Sequence, residues 1–378
     1  MADRLTWLDA LRLTAGLSMV ALHASADANG QPFPDAPAGE RIAPMILRAF
    51  LYVARTELFI IISLFLLVMA LDRRPRSYAT VISQQARRLL VPFLFWTLFY
   101  AAYGLIKAQA FGYADAHLAR LADPMAWLGI LSLGEVKYHM HFIPTLFGIV
   151  LFFPLFLTAS RFLWVGLLIL VLLALKRELD GFIYAELWGT DLLPYAVRGL
   201  KILTYCGYGL AAASLYGMWK RSSAEVRSNF VGLILLAGGL LFAVKLVAAA
   251  RVIETGRWAF DYTPGYWADF LMPVVLFALC MCLAHLRWPG VLSRLAPYSF
   301  GIYLCHPIFL DLAEVWLRDS ALTPFHLILA KIAIVLPTTS LFVWALSRLT
   351  WLAWTIGLGP LPRLLRHPFS RAHGRGLS

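Results

Sequence analysis

Charged residues are scarce in this sequence. They make up 14% of its 378 residues, whereas 61% are hydrophobic. Because soluble globular proteins carry about 25% charged residues, this composition excludes that class. Several apolar runs instead reach the roughly 20 residues that a helix needs to cross a bilayer. We therefore expect an all-α, polytopic integral membrane bundle with no soluble domain of useful size.

Cysteine is also scarce, and its positions point away from a metal site. The four cysteines all lie in apolar runs, and none of their spacings is that of zinc ligands: Cys206, Cys280, Cys282 and Cys305. We expect buried, unreactive thiols and no bound metal. A small-residue cleavage site is missing after the first apolar run, which indicates a retained helix and not a removed signal peptide.

Acidic residues are outnumbered, with 21 Asp and Glu against 33 Lys and Arg and a net charge of +12. Lys and Arg collect on the cytoplasmic side of membrane proteins. That preference explains much of the excess, so nucleic acid is not expected as a partner.

Ten apolar stretches predict about ten transmembrane helices, near residues 6–24, 45–71, 89–111, 141–158, 162–175, 196–218, 229–250, 267–286, 299–317 and 327–348. An interfacial helix is expected near Pro124–Leu133, and an outer loop over 176–195. Ten spans place both termini on one side of the membrane. The densest basic clusters, at 73–88, 219–227 and 363–375, fall on that side, so both termini are expected in the cytoplasm.

These spans divide the chain into two unequal parts. Residues 1–350 are expected to form the transmembrane domain, and residues 351–378 a basic cytoplasmic tail. Between the last span and the arginines of the tail, residues 350–361 favour a short amphipathic helix on the cytoplasmic face of the membrane.

The first apolar stretch carries an acid, a base and a histidine. Asp9 precedes Arg12 by three positions, so the two can pair on one helix face. Arg12 and His23 are eleven positions apart, which places them on the same stripe about 16 Å apart. Ionisable groups at membrane depth are costly and usually functional. The alternative is that Asp9 and Arg12 anchor the helix at the interface while His23 lies among headgroups.

This stretch, WLDALRLTAGLSMVALH, resembles the opening helix of the acyltransferase-3 family, in which ten residues separate an arginine from a histidine. Four further segments are similar to family motifs and follow in the same order: ELFIIISLFLL, QQARRLLVPF, KYHMHFIPTLFGIVLFFPLF and SFGIYLCHPIF. The chain departs from the family pattern at Leu64, which replaces a glycine, and at Gln84 and Gln85, which replace arginines. His141 stands where the family usually has tryptophan.

The resemblance implies a membrane O-acyltransferase. Such enzymes move an acyl group, most often acetyl, from cytoplasmic acyl-CoA to a hydroxyl of a glycan or lipid-linked sugar at the outer face. It further implies a multi-pass protein of the bacterial inner membrane, with acyl-CoA, the saccharide acceptor and membrane lipid as partners. Because no fused soluble domain is present, a separate extracytoplasmic partner is also expected.

On the outer side, His23 is the expected general base for the acceptor hydroxyl, since a neutral imidazole near its normal pKa suits that task. Asp9, Glu57 and His139 are assigned to the catalytic group with it. Glu57 could orient a histidine, contact the acceptor or pair with a neighbouring arginine. The acceptor-binding residues are expected to be Tyr138, His141 and Arg55.

On the cytoplasmic side, basic residues are expected to bind the donor, because guanidinium groups are strong phosphate partners. Plain anchoring of the helices by positive charge is the alternative. Two residues of the late segment are added to the donor set, although one of them, His306, could instead close a structural hydrogen bond. The full set is Arg12, Arg74, Arg76, Arg87, Arg88, Tyr303 and His306.

A polytopic transporter or a flippase of a lipid-linked sugar is the alternative function, because such proteins also carry buried charges along a path. Matching half-repeats with broken helices, which are typical of many transporters, are missing from the sequence. A transporter would also tolerate the loss of His23 as long as its path stayed open.

Overall fold

The computed structural model describes residues 5–362, and every regular element in that range is helical, which confirms the all-α class. The α-helices there are α1 Thr6–Ala24, α2 Ala38–Leu51, α3 Thr56–Arg73, α4 Tyr78–Ala110, α5 Ala114–Ala122, α6 Pro124–Leu133, α7 Phe142–Val150, α8 Phe153–Ala159, α9 Leu168–Leu187, α10 Leu193–Arg221, α11 Ala224–Ser228, α12 Val231–Thr255, α13 Thr263–Cys282, α14 Gly290–Leu295, α15 Ser299–Trp316 and α16 Pro324–Arg348. Short 3-10 turns lie at Leu163–Leu167, Ala296–Tyr298 and Ala353–Ile356.

Within the described residues, five helical segments are long and apolar enough to cross a bilayer: Ala38–Arg73, Tyr78–Ala110, Ala224–Thr255, Thr263–Cys282 and Pro324–Arg348. The bent pair α7 and α8 makes a sixth if it counts as one span. These segments support a multi-pass membrane protein, but the expected count of ten spans is not confirmed. The location of the termini stays a prediction.

The predicted second span, 45–71, lies within the candidate span Ala38–Arg73, but that span consists of two helices. α2 ends at Leu51 and α3 begins at Thr56. At the break, the Arg55 guanidinium lies 4.4 Å from the centre of the Tyr52 ring and pairs with Glu57. Because mean hydropathy averages these few polar residues with many apolar neighbours, the break between the helices cannot be recognised from it.

The predicted fourth span is bent by 62° between α7 and α8. Pro154 lies in the first turn of α8, and a proline both lacks an N–H and clashes with the preceding turn. The following prediction, an outer loop over 176–195, is largely wrong, because α9 continues the helix to Leu187.

The two remaining short elements have different outcomes. The helix expected at Pro124–Leu133 is found as α6, and its interfacial position stays a prediction. The amphipathic helix expected over 350–361 is reduced to the 3-10 turn Ala353–Ile356, whose apolar side chains pack inward. The tail arginines, at positions 363, 366, 371 and 375, lie outside the described residues.

α1 lies in the middle of the bundle, packed against α2, α3, α13, α15 and α16. Its Gly16 approaches the start of α15 so closely that an added Cβ would lie 3.1 Å from the Cβ of Ser299. Small residues permit this close approach of helices in membranes. α1 therefore holds Arg12 near one end and His23 at the other, both beside α15.

Candidate active site

The His23 end of α1 lies in a cluster of histidines from distant parts of the chain. His23 stacks on His306 of α15, with ring centres 5.4 Å apart and planes at 17°. His139, from the loop between α6 and α7, lies 5.3 Å from His306, and the Tyr138 ring lies 4.4 Å from His23. The fold thus brings together His23 and His139, which were predicted to be catalytic, with two other predicted site residues. Tyr138 was predicted to bind the acceptor and His306 to bind the donor.

A proline determines the orientation of His306. Pro307 follows it within α15 and has no N–H to donate to the carbonyl of Tyr303, four residues earlier. The Nδ1 of His306 lies 2.7 Å from that carbonyl oxygen, so Nδ1 carries the proton and Nε2 is an acceptor. The Tyr138 hydroxyl lies 3.5 Å from Nε2 and can donate to it. His306 therefore closes a structural hydrogen bond, one of its two expected roles.

The loop 134–141 positions His139. The Nε2 of His139 lies 3.3 Å from the carbonyl oxygen of Leu304, and the backbone carbonyl of His139 accepts from the Tyr303 hydroxyl. The loop turns back at Gly134, which has a φ of 74°. A Cβ at Gly134 would lie 2.7 Å from the Cα of His141, so only glycine fits this turn.

A buried ion-pair network fastens the same loop to α15. Lys137 donates to Asp311 at 2.5 Å. Lys107 of α4 lies 3.5 Å from Asp311 and also pairs with Glu314, which Lys331 of α16 approaches at 3.6 Å. Asp311 is only 1% exposed. Buried charges are stable when paired in this way, so the network holds the loop in place.

Three histidine nitrogens are buried without a hydrogen-bond partner among residues 5–362: Nε2 of His23, Nδ1 of His139 and Nδ1 of His141. Burial lowers the pKa of both loop histidines, with smaller contributions from His306, His23 and Lys137 at His139. At His141, where Lys201 and Arg198 contribute, the pKa falls to about 3. Both are therefore neutral near pH 7. In the same part of the chain, no group of three His, Cys, Asp or Glu side chains is arranged to hold a metal ion.

A cavity of about 220 Å³ opens beside His23. We call it the histidine cavity; its charged and imidazole groups are those of His23, Arg48, Arg55, Glu57, His141 and Lys201. The hydroxyl-bearing side chains of Tyr52, Thr145 and Tyr205 also line it. A ligand with hydroxyl groups can therefore meet both an imidazole and several cations here.

Glu57 has other partners than a histidine. Its Oε1 accepts from the Tyr205 hydroxyl at 2.8 Å, and its Oε2 lies 3.2 Å from Nε of Arg55. Among the residues that the structure describes, no hydrogen bond joins Glu57 to a histidine. The expected pairing with a neighbouring arginine is found, and the orientation of a histidine by Glu57 is not.

A second cavity, of about 330 Å³, lies toward the Arg12 end of α1, and we call it the arginine cavity. Arg12 and Arg88 supply its guanidinium groups, Gln85 lies beside them, and most of the remaining wall is apolar. Cationic groups next to an apolar chamber fit a ligand with an anionic head and a less polar arm.

Phe142 lines both cavities. Its ring centre lies 5.6 Å from that of Tyr303 and 6.2 Å from that of Phe59, and the latter two are 5.9 Å apart. We call Phe59, Phe142 and Tyr303 the aromatic partition. Of these three, Phe142 lines both cavities and Phe59 lines the arginine cavity.

The other arginines that were predicted to bind the donor do not all line the same cavity. Arg76 lines a third cavity, of about 420 Å³, together with Asp72, Arg161, Lys220 and Arg221. We call it the basic cleft. Among the residues that the structure describes, Arg74 and Arg87 line none of these three cavities.

Three further predicted residues line neither the arginine cavity nor the histidine cavity. Tyr303 and His306 belong to the aromatic partition and the histidine cluster, and His306 is fully buried. Asp9 is half-buried in the first turn of α1, three residues before Arg12. It contributes to neither the histidine cavity nor the arginine cavity.

Several residues of the histidine cavity were not predicted as site residues, among them Lys201, Arg48 and Tyr205. Lys201 lies inside the predicted span 196–218, and Arg48 inside the predicted span 45–71, so each was an ionisable group at membrane depth and carried a usable signal. Tyr205 carried none, since tyrosine is common near membrane interfaces.

The model of the acyltransferase-3 family, described as an acyltransferase domain, matches residues 5–356. No curated protein and no solved structure matches the chain.

Proposed function

The chain belongs to the acyltransferase-3 family, and from that premise we propose that it transfers an acyl group, acetyl in the first instance, from acyl-CoA to an acceptor hydroxyl. The acceptor is a glycan or a lipid-linked saccharide at the outer face of a bacterial inner membrane. The termini and the basic cleft lie on the cytoplasmic side in this proposal.

The buried, unpartnered Nε2 of His23 carries the assignment of the general base. A buried polar atom without a partner in the protein is uncommon and indicates a ligand or a catalytic role. Here the atom belongs to a residue that lines a cavity, and an imidazole is a suitable base for a hydroxyl near neutral pH.

The arrangement along α1 supports transfer between two sides. Arg12 lines the arginine cavity, His23 lines the histidine cavity, and Phe142 belongs to both. Donor and acceptor would enter from opposite ends and meet at the aromatic partition. Holding both reactants at one point replaces a bimolecular encounter and accounts for a large part of such catalysis.

The donor phosphates would lie against arginines. Arg12 and Arg88 of the arginine cavity are the first candidates, and Arg76 with the other cations of the basic cleft could bind the nucleotide end. Guanidinium groups form strong bidentate contacts with phosphate. The apolar wall of the arginine cavity suits the uncharged arm that carries the thioester.

The chemical step would follow from this placement. His23 Nε2 takes the proton of the acceptor hydroxyl as its oxygen forms a bond to the thioester carbonyl carbon. The tetrahedral adduct then breaks its C–S bond. The departing thiolate receives the proton from the His23 imidazolium, which leaves an ester, a free thiol and neutral His23.

The test is the transfer of radiolabelled acetyl from acetyl-CoA to membrane glycans, with wild type and His23→Ala at equal membrane abundance. Loss of the base should lower transfer by about 10²- to 10⁴-fold, whereas His326→Ala, at an exposed histidine of α16, should retain it. Label that persists in His23→Ala contradicts the assignment of the base. A wild type that transfers no acyl group from acetyl-, propionyl- or succinyl-CoA contradicts the function.

A further inference from the structure

A further cavity adjoins the histidine cavity. It measures about 220 Å³, and we call it the side cavity. The two share Arg48 and Tyr52, and the side cavity adds Lys245, Trp258 and Asp269. Arg48 and Tyr52 therefore face both cavities.

Arg48 is held by uncharged groups. Its Nη1 donates to the carbonyl of Leu22 at 2.9 Å and to Oγ of Ser25 at 2.8 Å, and its guanidinium lies 4.4 Å from the Trp258 ring centre. Among residues 5–362, no carboxylate lies within ion-pair distance of it. These contacts hold the side chain in place without giving its charge a direct ion-pair partner.

Lys201 is a second cation of this kind. It lines the histidine cavity from α10, with its Nζ 5.1 Å from the centre of the Tyr205 ring. Within the part of the chain that the structure describes, neither an ion pair nor a hydrogen bond is formed by its ammonium group. An aromatic ring offsets only a small part of the cost of burying an ammonium group.

The nearby carboxylates are already occupied. Glu57 is held by Arg55 and by the Tyr205 hydroxyl. Asp269 pairs with Lys245 and lies 3.9 Å from Arg55. Glu57 attracts Lys201 and Asp269 attracts Arg48 only at longer range, because neither pair lies within ion-pair distance among the described residues.

The two cavities together therefore contain more cations than anions. Their charged residues are Arg48, Arg55, Lys201, Lys245, Glu57 and Asp269, so the cationic side chains exceed the carboxylates by two. Unpaired charge away from water is costly unless a ligand compensates it. A neutral saccharide would leave both cations unpaired, and an anionic one would not.

We propose that the acceptor is anionic, and that Arg48 and Lys201 bind its phosphate or carboxylate while His23 faces its hydroxyl. This proposal rests on the proposed function and names the acceptor class of the same site. Two sources share the chemistry: the diphosphate of a lipid-linked sugar and the carboxylate of an acidic sugar. A guanidinium and an ammonium group on either side of one anion suit both.

Binding is measured first, because it does not depend on turnover. The full chain is placed in nanodiscs of phosphatidylcholine, and dissociation constants are determined for pyrophosphate, glucuronate and glucose. We expect at least one anion to bind more tightly than glucose, and Lys201→Met to weaken that anion at least tenfold. Arg257→Ala, which removes an exposed cation of the loop after α12, should bind it as wild type does.

The variants also locate the anion. Binding that Lys201→Met leaves unchanged overturns the proposal, and loss in Arg88→Ala alone would place the anion in the arginine cavity. Anions that bind no more tightly than glucose overturn it too. Pyrophosphate alone would indicate a lipid diphosphate, and glucuronate alone an acidic sugar. Lys201→Met removes an unpaired charge, so its Tm should equal or exceed that of wild type.

The transfer reaction separates this proposal from the function on which it rests. The labelled product of wild type should bind to an anion-exchange resin. Lys201→Met should lower kcat/KM for the acceptor at least tenfold, and Lys201→Arg should recover part of the loss. A neutral product with Lys201→Met fully active overturns the acceptor class and leaves the function standing. Absence of transfer from every acyl-CoA overturns the function, and the binding constants still decide the anion site.

Discussion

The Nδ1 of His306 lies 2.7 Å from the carbonyl oxygen of Tyr303, an oxygen that Pro307 leaves without its helical donor. The missing helical hydrogen bond in α15 therefore determines the tautomer of His306, the ring on which His23 stacks. Local sequence and site chemistry are linked here through a single missing N–H.

Pro307→Ala tests this link. The new N–H would take the Tyr303 carbonyl, and His306 would lose the acceptor that orients it. We expect transfer to fall by about 10- to 100-fold, as for a small misplacement of a catalytic group, while Tm stays equal or rises because alanine favours the helix. Pro337→Ala, inside α16, is the matched control and should keep full transfer. Equal activity of Pro307→Ala and wild type contradicts the role of the proline.

Much of the fold could be predicted from hydropathy. α1 and α6 were placed closely because each is a continuous apolar run with clear limits. The break between α2 and α3 was not, because Arg55 and Tyr52 interrupt the helix without lowering the mean hydropathy enough to show. The bend at Pro154 was not predicted either, because the fourth predicted span runs through that residue.

The site was predictable residue by residue but not as an assembly. His23 and His139 each stood out as histidines at the ends of apolar runs. Their meeting with His306 depends on the packing of α1 against α15 and on the turn at Gly134, which no spacing in the sequence encodes. Lys201 could have been found, since a lysine within an apolar run is costly unless it has a use.

The aromatic partition predicts a second measurable property. Phe142→Ala would join the arginine cavity to the histidine cavity and enlarge the place where the acyl group lies. We expect the preference for butyryl-CoA over acetyl-CoA to rise roughly tenfold, the usual range for a few methylene groups in an apolar pocket. Release of thiol without acceptor should also increase, because water reaches the thioester. Thiol detection and product counting measure both.

Phe147→Ala is the matched control for that experiment. It removes the same side chain from the same helix, α7, at a partly buried position that lines neither cavity. If both variants change acyl preference equally, the partition is not a selective element.

The ion pairs around α15 and around the basic cleft should differ in strength. Asp311→Asn breaks buried contacts with Lys137 and Lys107 and should destabilise the protein by about 3–5 kcal/mol. Lys220→Met breaks a pair with Asp72 at 2.7 Å, but Lys220 is 58% exposed, and about 1 kcal/mol or less is expected. Thermal unfolding of the two variants in the same detergent measures the difference. A larger loss in Lys220→Met would contradict a role for burial.

Acid should destabilise the protein through His141. Its pKa in the folded chain, about 3, lies below the ordinary value of 6.5 because the ring is buried near Lys201 and Arg198. Below about pH 6.5 the unfolded chain therefore binds a proton at His141, whereas the folded chain binds it only near pH 3. The difference lowers the free energy of unfolding as the pH falls below 6.5 and has no effect above that pH. His141→Gln removes the titrating group, and its Tm should decline less than that of wild type between about pH 7 and pH 4. His326→Gln, at an exposed position, should follow wild type. If Tm declines equally with falling pH in His141→Gln and wild type, the His141 ring is protonated in the folded chain as readily as in the unfolded one, which contradicts the prediction.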